Sequence, residues 1–325
     1  MLYNRNLEEI IFDRHNIIDT DELVIISGYV GPNPIQRLNQ LPFKTTVIYG
    51  MYGSEGIKKN LHESLLPLNN EKVSILYSSI PVHSKCYIWK KNRRIVHALI
   101  GSANFSTNGL TTPYREVLAE TTRDTFEPLQ LYLNEIINNS INCQAHVQIE
   151  TANRRSSNIV PINPEICDMI LYDRRTGETQ NAAGINWGQS TTAHVNRNDA
   201  YIAILKDNLR QYPNLFPPKQ SMPTQDNDGR PQRHNDSVEV IWDDGTTMEC
   251  LFEGNQEDNG IIYPKQIASA PSKAQLGEYL RSRIGVPSGA RVTRRDLNRY
   301  GRDYISVSLQ AEGIYYFDFS RNISG

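Results

Sequence analysis

Three short apolar runs, separated by stretches of helical spacing, constrain the first half of this chain more than any other feature. Leu23-Val24-Ile25-Ile26-Ser27-Gly28-Tyr29-Val30 reads as a buried strand. Thr45-Thr46-Val47-Ile48-Tyr49-Gly50-Met51 and Val73-Ser74-Ile75-Leu76-Tyr77 read as two more. Between them, Gly31-Pro32-Asn33-Pro34 opens a short helical pattern through Leu41, and a second helical stretch runs near Ile57 to Leu66. Strand, helix, strand in this rhythm predicts an α/β sheet with crossover helices.

Two further apolar segments, Cys86-Tyr87-Ile88-Trp89 and Val96-His97-Ala98-Leu99-Ile100, flank the charged turn Lys90-Lys91-Asn92-Arg93-Arg94, as in a hairpin. Tyr114 to Thr121 reads as another strand, and Phe126 to Ile137 as a helix that closes the domain. The chain then turns polar and turn-rich. From Ile166 on, its texture is one of short β-like runs, such as Val238-Glu239-Val240-Ile241-Trp242 and Tyr304-Ile305-Ser306-Val307-Ser308-Leu309, with Asp243-Asp244-Gly245-Thr246 as a hairpin turn. Pro217 to Ser237 is a long polar loop, and Gln275 to Ile284 is a helix ending at Gly285. A small β-barrel or pseudobarrel with one or two helices fits this half. A chain of 325 residues is long for one domain, and the expected division is 1–150, a linker at 151–164, and 165–325.

The formal net charge is −2, so a polyanionic partner would have to meet a local patch rather than a global bias. Cys86, Cys143, Cys167 and Cys250 lie far apart, with no zinc-ligand spacing and no disulfide framework, which fits buried thiols in a reducing cytoplasm. No apolar run approaches the ~20 residues that span a bilayer, and the first residues lack the pattern of a secretion signal. A soluble, cytoplasmic protein without a metal site or cofactor is expected.

The chemistry is concentrated near the hairpin. His83 and Lys85 are two apart on a strand-like run, where side chains share a face. An imidazole can attack phosphorus or protonate a leaving oxygen, while an ammonium neutralises the non-bridging oxygens. Gly101-Ser102-Ala103-Asn104-Phe105 follows, with Ser102 and Asn104 as neutral donors and Gly101 permitting close backbone approach. Glu116, on the next strand-like segment, is a carboxylate suited to orienting an imidazole.

His83-x-Lys85 followed by Gly101-Ser102-x-Asn104-Phe105 resembles the HKD signature of the phospholipase D superfamily. The whole chain resembles the NgoFVII-type restriction endonucleases of that superfamily, in which an α/β phospholipase D-like nuclease domain precedes a mainly β, B3-like DNA-binding domain. The resemblance implies that His83 is a nucleophile forming a covalent phosphohistidine without metal, that Lys85, Ser102 and Asn104 bind the phosphate, and that Glu116 orients His83. The signature's aspartate, five positions after the lysine, is replaced by Lys90, which puts weight on Glu116 as the substitute carboxylate. The two-step chemistry of this superfamily needs a second imidazole, yet the chain holds one such motif. A homodimer through the nuclease domain would supply it. A companion DNA methyltransferase is implied by the resemblance alone, and a helicase-like NTPase is a further partner to consider.

Between Arg281 and Arg302 the chain carries seven arginines against one aspartate. Arginine forks bind phosphate and guanine edges bidentately, so Arg281, Arg283, Arg291, Arg294, Arg295 and Arg299 are candidates to contact double-stranded DNA. The stretch from Gly184 to Ser190, followed by Asn196 to Tyr201, resembles the N-terminal arm of the B3-like domains, with Gln189, Asn196, Arg197 and Asn198 suited to bases and phosphates. Trp187 reads as a packing residue. The expected activity is that of a type II-like restriction endonuclease. The alternatives are a sequence-specific DNA-binding protein with a decayed nuclease domain, or another phosphodiesterase of the same superfamily, against which the lack of a membrane-binding amphipathic stretch counts.

Overall fold

The computed structural model describes residues 1–112, 114–147, 149–150, 165–219, 224–225, 231–232 and 235–321. The linker expected at 151–164 and much of the polar loop at 217–237 lie outside the described residues. The chain divides into two compact units, Met1–Pro161 with Gln310–Ile314, and Ile162–Leu309 with Tyr315–Gly325.

The first unit is built on eight strands: β1 Leu2–Tyr3, β2 Glu22–Ser27, β3 Lys44–Tyr49, β4 Val73–Ser78, β5 Lys85–Lys91, β6 Arg94–Gly101, β7 Leu118–Glu120 and β8 Ser140–Asn142. They pair in the order β1-β7-β6-β5-β2-β3-β4-β8. The three apolar runs form the parallel centre, in register at Ile25, Val47 and Ile75. β5 joins them antiparallel, with Tyr87 opposite Ile25. Ile25, Val47, Ile75 and Tyr87 are fully buried. Val24, Ile26, Ile48 and Ile88 pack on the other face against Leu129, Leu133 and Ile136 of the helix Phe126–Asn138. These strands are apolar without alternation because both faces are covered.

The hairpin turn is tighter than the five-residue run with four charges suggests. Lys91 pairs with Arg94, and Asn92 and Arg93 both adopt positive φ (50° and 66°), the geometry of a two-residue turn whose twist matches the strands. The strand expected from Tyr114 is shorter: pairing begins at Leu118, and Tyr114 has φ 62°. Glu116 therefore sits on the approach to a strand and not on it.

The second unit contains β9 Ile166–Ile170, β10 Ile202–Ala203, β11 Asp236–Trp242, β12 Thr247–Glu253, β13 Gln266–Ser269, β14 Tyr304–Ala311 and β15 Ile314–Asp318. Their order, β9-β14-β15-β11-β12-β13-β10, makes a nearly closed barrel, the pseudobarrel expected from the sequence. Gly245, at φ 84°, closes the β11–β12 hairpin at the expected Asp-Asp-Gly turn. Trp242, Phe252 and Phe317 fill the interior with Leu276 and Leu280 of the helix Lys273–Ile284, which ends at Gly285 in the left-handed region. The arginine run is not one surface strip. It spans the end of that helix and a second helix, Arg294–Tyr300, started by a Thr293/Asp296 capping box. Only Leu297 and Tyr300 of this helix are buried, too few apolar positions for its periodicity to register in the sequence.

All four cysteines are free and buried. No helix among the described residues is long and apolar enough to cross a membrane.

Candidate active site

β6, β5 and β2 are neighbours in the sheet, and the end of β6, the start of β5 and the end of β2 meet on one edge. That edge carries Ser102 and Asn104 after β6, His83 and Lys85 at β5, and Gly28 and Tyr29 after β2. Two glycines permit the approach of the neighbouring segments. A Cβ at Gly50 would lie 2.0 Å from the carbonyl oxygen of Val82, and one at Gly101 would lie 1.9 Å from that of Val117.

β5 begins at Lys85, so His83 stands just before it, exposed, while Lys85 is 4% exposed. The Lys85 ammonium donates to the His83 carbonyl oxygen at 2.5 Å and lies 3.1 and 3.2 Å from Nδ1 and Nε2 of the imidazole. Burial lowers the pKa of Lys85 from its ordinary value, and the negative charge of Glu116 opposes that shift.

Asn104 is almost buried, and its Oδ1 accepts the backbone N–H of Tyr29 at 3.1 Å. This fixes the amide orientation and leaves Nδ2 as the end available to donate. Ser27 Oγ braces the same corner, accepting the N–H of Phe105 at 2.9 Å and donating to the carbonyl of Tyr29 at 2.5 Å. Ser102 Oγ accepts the N–H of Val117 at 3.1 Å, which leaves its proton free for a ligand. Beneath the cluster lies Gly28. A Cβ there would stand 3.0 Å from His83 Cδ2, 3.1 Å from Lys85 Nζ and 3.5 Å from Asn104 Oδ1. His83, Lys85 and Asn104 thus converge over Gly28 around a small polar space suited to an anionic, oxygen-rich group, and Ser102 follows β6 on the same sheet edge.

Two expectations meet a different arrangement. Glu116 pairs with Arg115 Nε at 3.4 Å and makes no hydrogen bond to His83; its influence on the site is the field it exerts at Lys85. Lys90, in the place of the signature aspartate, pairs across the sheet with Glu22, and its ammonium lies 3.8 Å from that carboxylate. Five residues of strand put position 90 roughly 16 Å from Lys85. The residue at that position is remote from the imidazole, so its replacement does not empty the site.

Ser27, Gly28 and Tyr29 read in the sequence as ordinary strand residues, yet they build one wall of the site. The one available signal is a glycine at the end of a strand, where a close backbone approach is common.

In the second unit the candidate DNA contacts separate by burial. Asn198 is buried, its Nδ2 donating to Glu278 and Ser288 at 2.9 and 2.8 Å and its Oδ1 accepting from Gly289 N–H. Arg281 is 1% exposed and donates to the carbonyls of Ala290, Gly277, Asn198 and Ile185. It ties together the segments around 185, 198 and 290 and has no fork left for DNA. Arg283 is held by Asp243 and Asp244, at 2.7 and 3.2 Å, and by the Tyr279 hydroxyl. Arg294 lies over the Tyr172 ring and pairs with Asp303.

The remaining candidates face outward. Arg197, Asn196, Arg291, Arg295 and Arg299 are exposed, and Gln189 is half-buried between Arg197 and the Gly289 carbonyl. Arg291 contacts Asn181, and Arg299 pairs with Asp296 at 2.9 Å. Trp187 packs edge-on against Tyr201. Among the described residues, no three His, Cys, Asp or Glu side chains cluster as a metal site.

Two family models match, one over residues 5–151, described as the NgoFVII restriction endonuclease N-terminal PLD domain, and one over residues 164–311, described as the NgoFVII C-terminal B3-like DNA-binding domain. No curated protein matches the chain. Solved structures similar to it include NucT from Helicobacter pylori, 17% identical with a TM-score of 0.33, covering 44% of this chain and 97% of that one. A polyphosphate kinase from Porphyromonas gingivalis is 13% identical with a TM-score of 0.29, covering 42% of this chain and 21% of that one. Those scores are too low to carry weight, and the assignment rests on the two domain matches, which leave only the junction and the ends of the chain uncovered. With a phospholipase D-like domain that bears the HxK and GSxNF residues on one sheet edge, followed by a B3-like pseudobarrel, the chain belongs to the NgoFVII family of restriction endonucleases.

Proposed function

We propose that this protein is a type II-like restriction endonuclease that hydrolyses phosphodiester bonds of duplex DNA at a short sequence, through a phosphohistidine on His83 and without a metal ion. The observation that carries the reading is the floor at Gly28, over which His83, Lys85 and Asn104 converge within 3.0–3.5 Å of the point a side chain would occupy. A phosphate seated there meets an imidazole for in-line attack, a buried ammonium and two neutral donors. An unprotonated ring nitrogen of His83 forms the P–N bond as the P–O bond to the leaving nucleotide breaks. Lys85, Asn104 Nδ2 and Ser102 Oγ hold the non-bridging oxygens as charge builds on them. The departing oxygen takes a proton from the His83 of a second copy of the chain in a homodimer. That imidazole then accepts a proton from the water that cleaves the P–N bond. Glu116 keeps Lys85 charged against its burial; the alternative role of orienting His83 has no contact behind it here.

The second unit reads the sequence, with the exposed Arg197, Arg291, Arg295, Arg299 and Asn196, and the half-buried Gln189, as the groups that meet phosphates and bases. Arg281 and Asn198 shape the surface on which those groups stand. A cell holding such an enzyme would need a companion methyltransferase to protect its own sites.

The test is plasmid cleavage in excess EDTA, followed by an alkaline quench with end-labelled DNA to trap an acid-labile, alkali-stable label on the protein. Discrete fragments and a label that disappears in His83→Ala are expected. Strict Mg²⁺ dependence, or cutting that persists in His83→Ala, would rule the mechanism out.

A further inference from the structure

We infer that Tyr29 is a positioning residue for the His83 imidazole and that Glu55 holds Tyr29 in place, an inference that rests on reading His83 as the nucleophile. His83 is exposed; its ring nitrogens lie 3.1 and 3.2 Å from the Lys85 ammonium, and no carboxylate among the described residues is bonded to either of them. The Tyr29 ring stands edge-on to it, with centroids 6.0 Å apart and planes at 81°, the T-shaped arrangement aromatic pairs favour. Tyr29 is in turn backed by a column of rings. Tyr49 lies 6.3 Å away, Tyr77 lies 5.9 Å beyond it, and His62 accepts from or donates to the Tyr77 hydroxyl at 3.0 Å. The free end of Tyr29 is tethered as well: its hydroxyl donates to the Glu55 carboxylate at 3.1 and 3.2 Å. Its backbone N–H orients Asn104, so one residue sets both the nucleophile and a phosphate donor. Tyr29 follows Gly28 directly, which is why this ring, on the exposed side of a floor without a side chain, can reach His83.

The test uses the full chain and four variants, Tyr29→Leu, Tyr29→Phe, Glu55→Ala and Glu55→Gln, in steady-state plasmid cleavage and by NMR of ¹⁵N-histidine-labelled protein. Displacing a nucleophile by about an ångström costs up to about 100-fold in rate. Tyr29→Leu should lower kcat by about 10- to 100-fold with KM unchanged, and Tyr29→Phe, which keeps the ring, should recover most of it. The His83 ring signals should broaden in Tyr29→Leu while those of the other six histidines stay in place. Glu55→Ala, at an exposed side chain, should give a smaller drop of about 3- to 10-fold with the same selective broadening, restored by Glu55→Gln. If Tyr29→Leu fails to fold, Glu55→Ala decides by both readouts. An unchanged kcat with an unchanged His83 signal would overturn the inference. A wild-type protein that cuts no DNA would refute the nuclease reading instead, and the NMR comparison would still decide whether Tyr29 holds His83.

Discussion

Gly28 lies directly beneath His83: a Cβ on the glycine would stand 3.0 Å from the imidazole Cδ2 and 3.1 Å from the Lys85 ammonium. Gly28 is not among the positive-φ residues, so an added methyl meets crowding rather than backbone strain. It would push the His83 ring and the Lys85 ammonium outward by a few tenths of an ångström. Gly28→Ala should therefore fold with a melting temperature close to that of the native protein while kcat falls by about 10- to 100-fold. A variant with native kcat would show that the floor is not part of the site.

Lys85 ties activity and stability to pH with opposite signs. Burial lowers its folded-state pKa below the ordinary 10.5, so between the two values the unfolded chain binds more protons and this group's contribution to stability rises with pH. In the proposed mechanism the ammonium holds the phosphate, so activity should fall as pH rises through the same lowered pKa. Glu116→Gln removes a charge that supports the ammonium, so the alkaline limb of the activity profile should move to lower pH. Lys85→Met should abolish cleavage and stabilise the fold at neutral pH by about 1 kcal/mol. Denaturant unfolding of Lys85→Met and pH–rate profiles of Glu116→Gln check the two halves; a destabilised Lys85→Met would contradict the first.

Restoring the signature aspartate should not help. Lys90→Asp would put a second carboxylate beside Glu22 at the far end of β5, in place of a lysine 3.8 Å from it. A drop of about 1–3 kcal/mol in stability is expected, with kcat unchanged where the protein is folded. A gain in kcat would mean that position 90 communicates with the imidazole.

The arginines should divide into two classes. Arg281→Met removes the donor to four carbonyls, three of them in buried hydrogen bonds, and should cost about 3 kcal/mol or more in stability. Arg295→Ala and Arg299→Ala should leave the melting temperature unchanged and weaken DNA binding. Removing one arginine that neutralises a phosphate should reduce the slope of log K against log salt by about one. Binding isotherms at several salt concentrations test this, and unchanged slopes for the exposed residues would remove them from the interface.

Much of the site is legible in the sequence because its chemistry is local. His83 and Lys85 are two residues apart, Ser102 and Asn104 likewise, and antiparallel pairing of β5 with β6 brings Lys85 opposite Gly101. A hairpin preserves proximity that a reader of the sequence can anticipate. Gly28 and Tyr29 follow β2, more than fifty residues before His83, and join the site because β2 pairs with β5. Nothing in the run Ser27-Gly28-Tyr29 distinguishes it from the end of any buried strand. The helix Arg294–Tyr300 escapes a reading of the sequence for a related reason: with two buried side chains, it is held by its cap and by packing on the barrel rather than by its own periodicity.

By itself the sequence determined the classes of structure and chemistry: apolar runs that must be covered on both faces, a hairpin, a turn-rich β half, and a histidine, lysine, serine and asparagine at spacings that suit a phosphate. Those follow from side-chain type and periodicity, which are properties of neighbours along the chain. Which arginine is a buried knot and which is exposed, that Glu116 pairs with Arg115 and not with His83, and that Gly28 is the floor were decided only by the tertiary structure. Burial and pairing depend on residues far away in sequence. Arg281 and Arg295 are the same side chain, yet one spends its donors on four carbonyls and the other stands exposed.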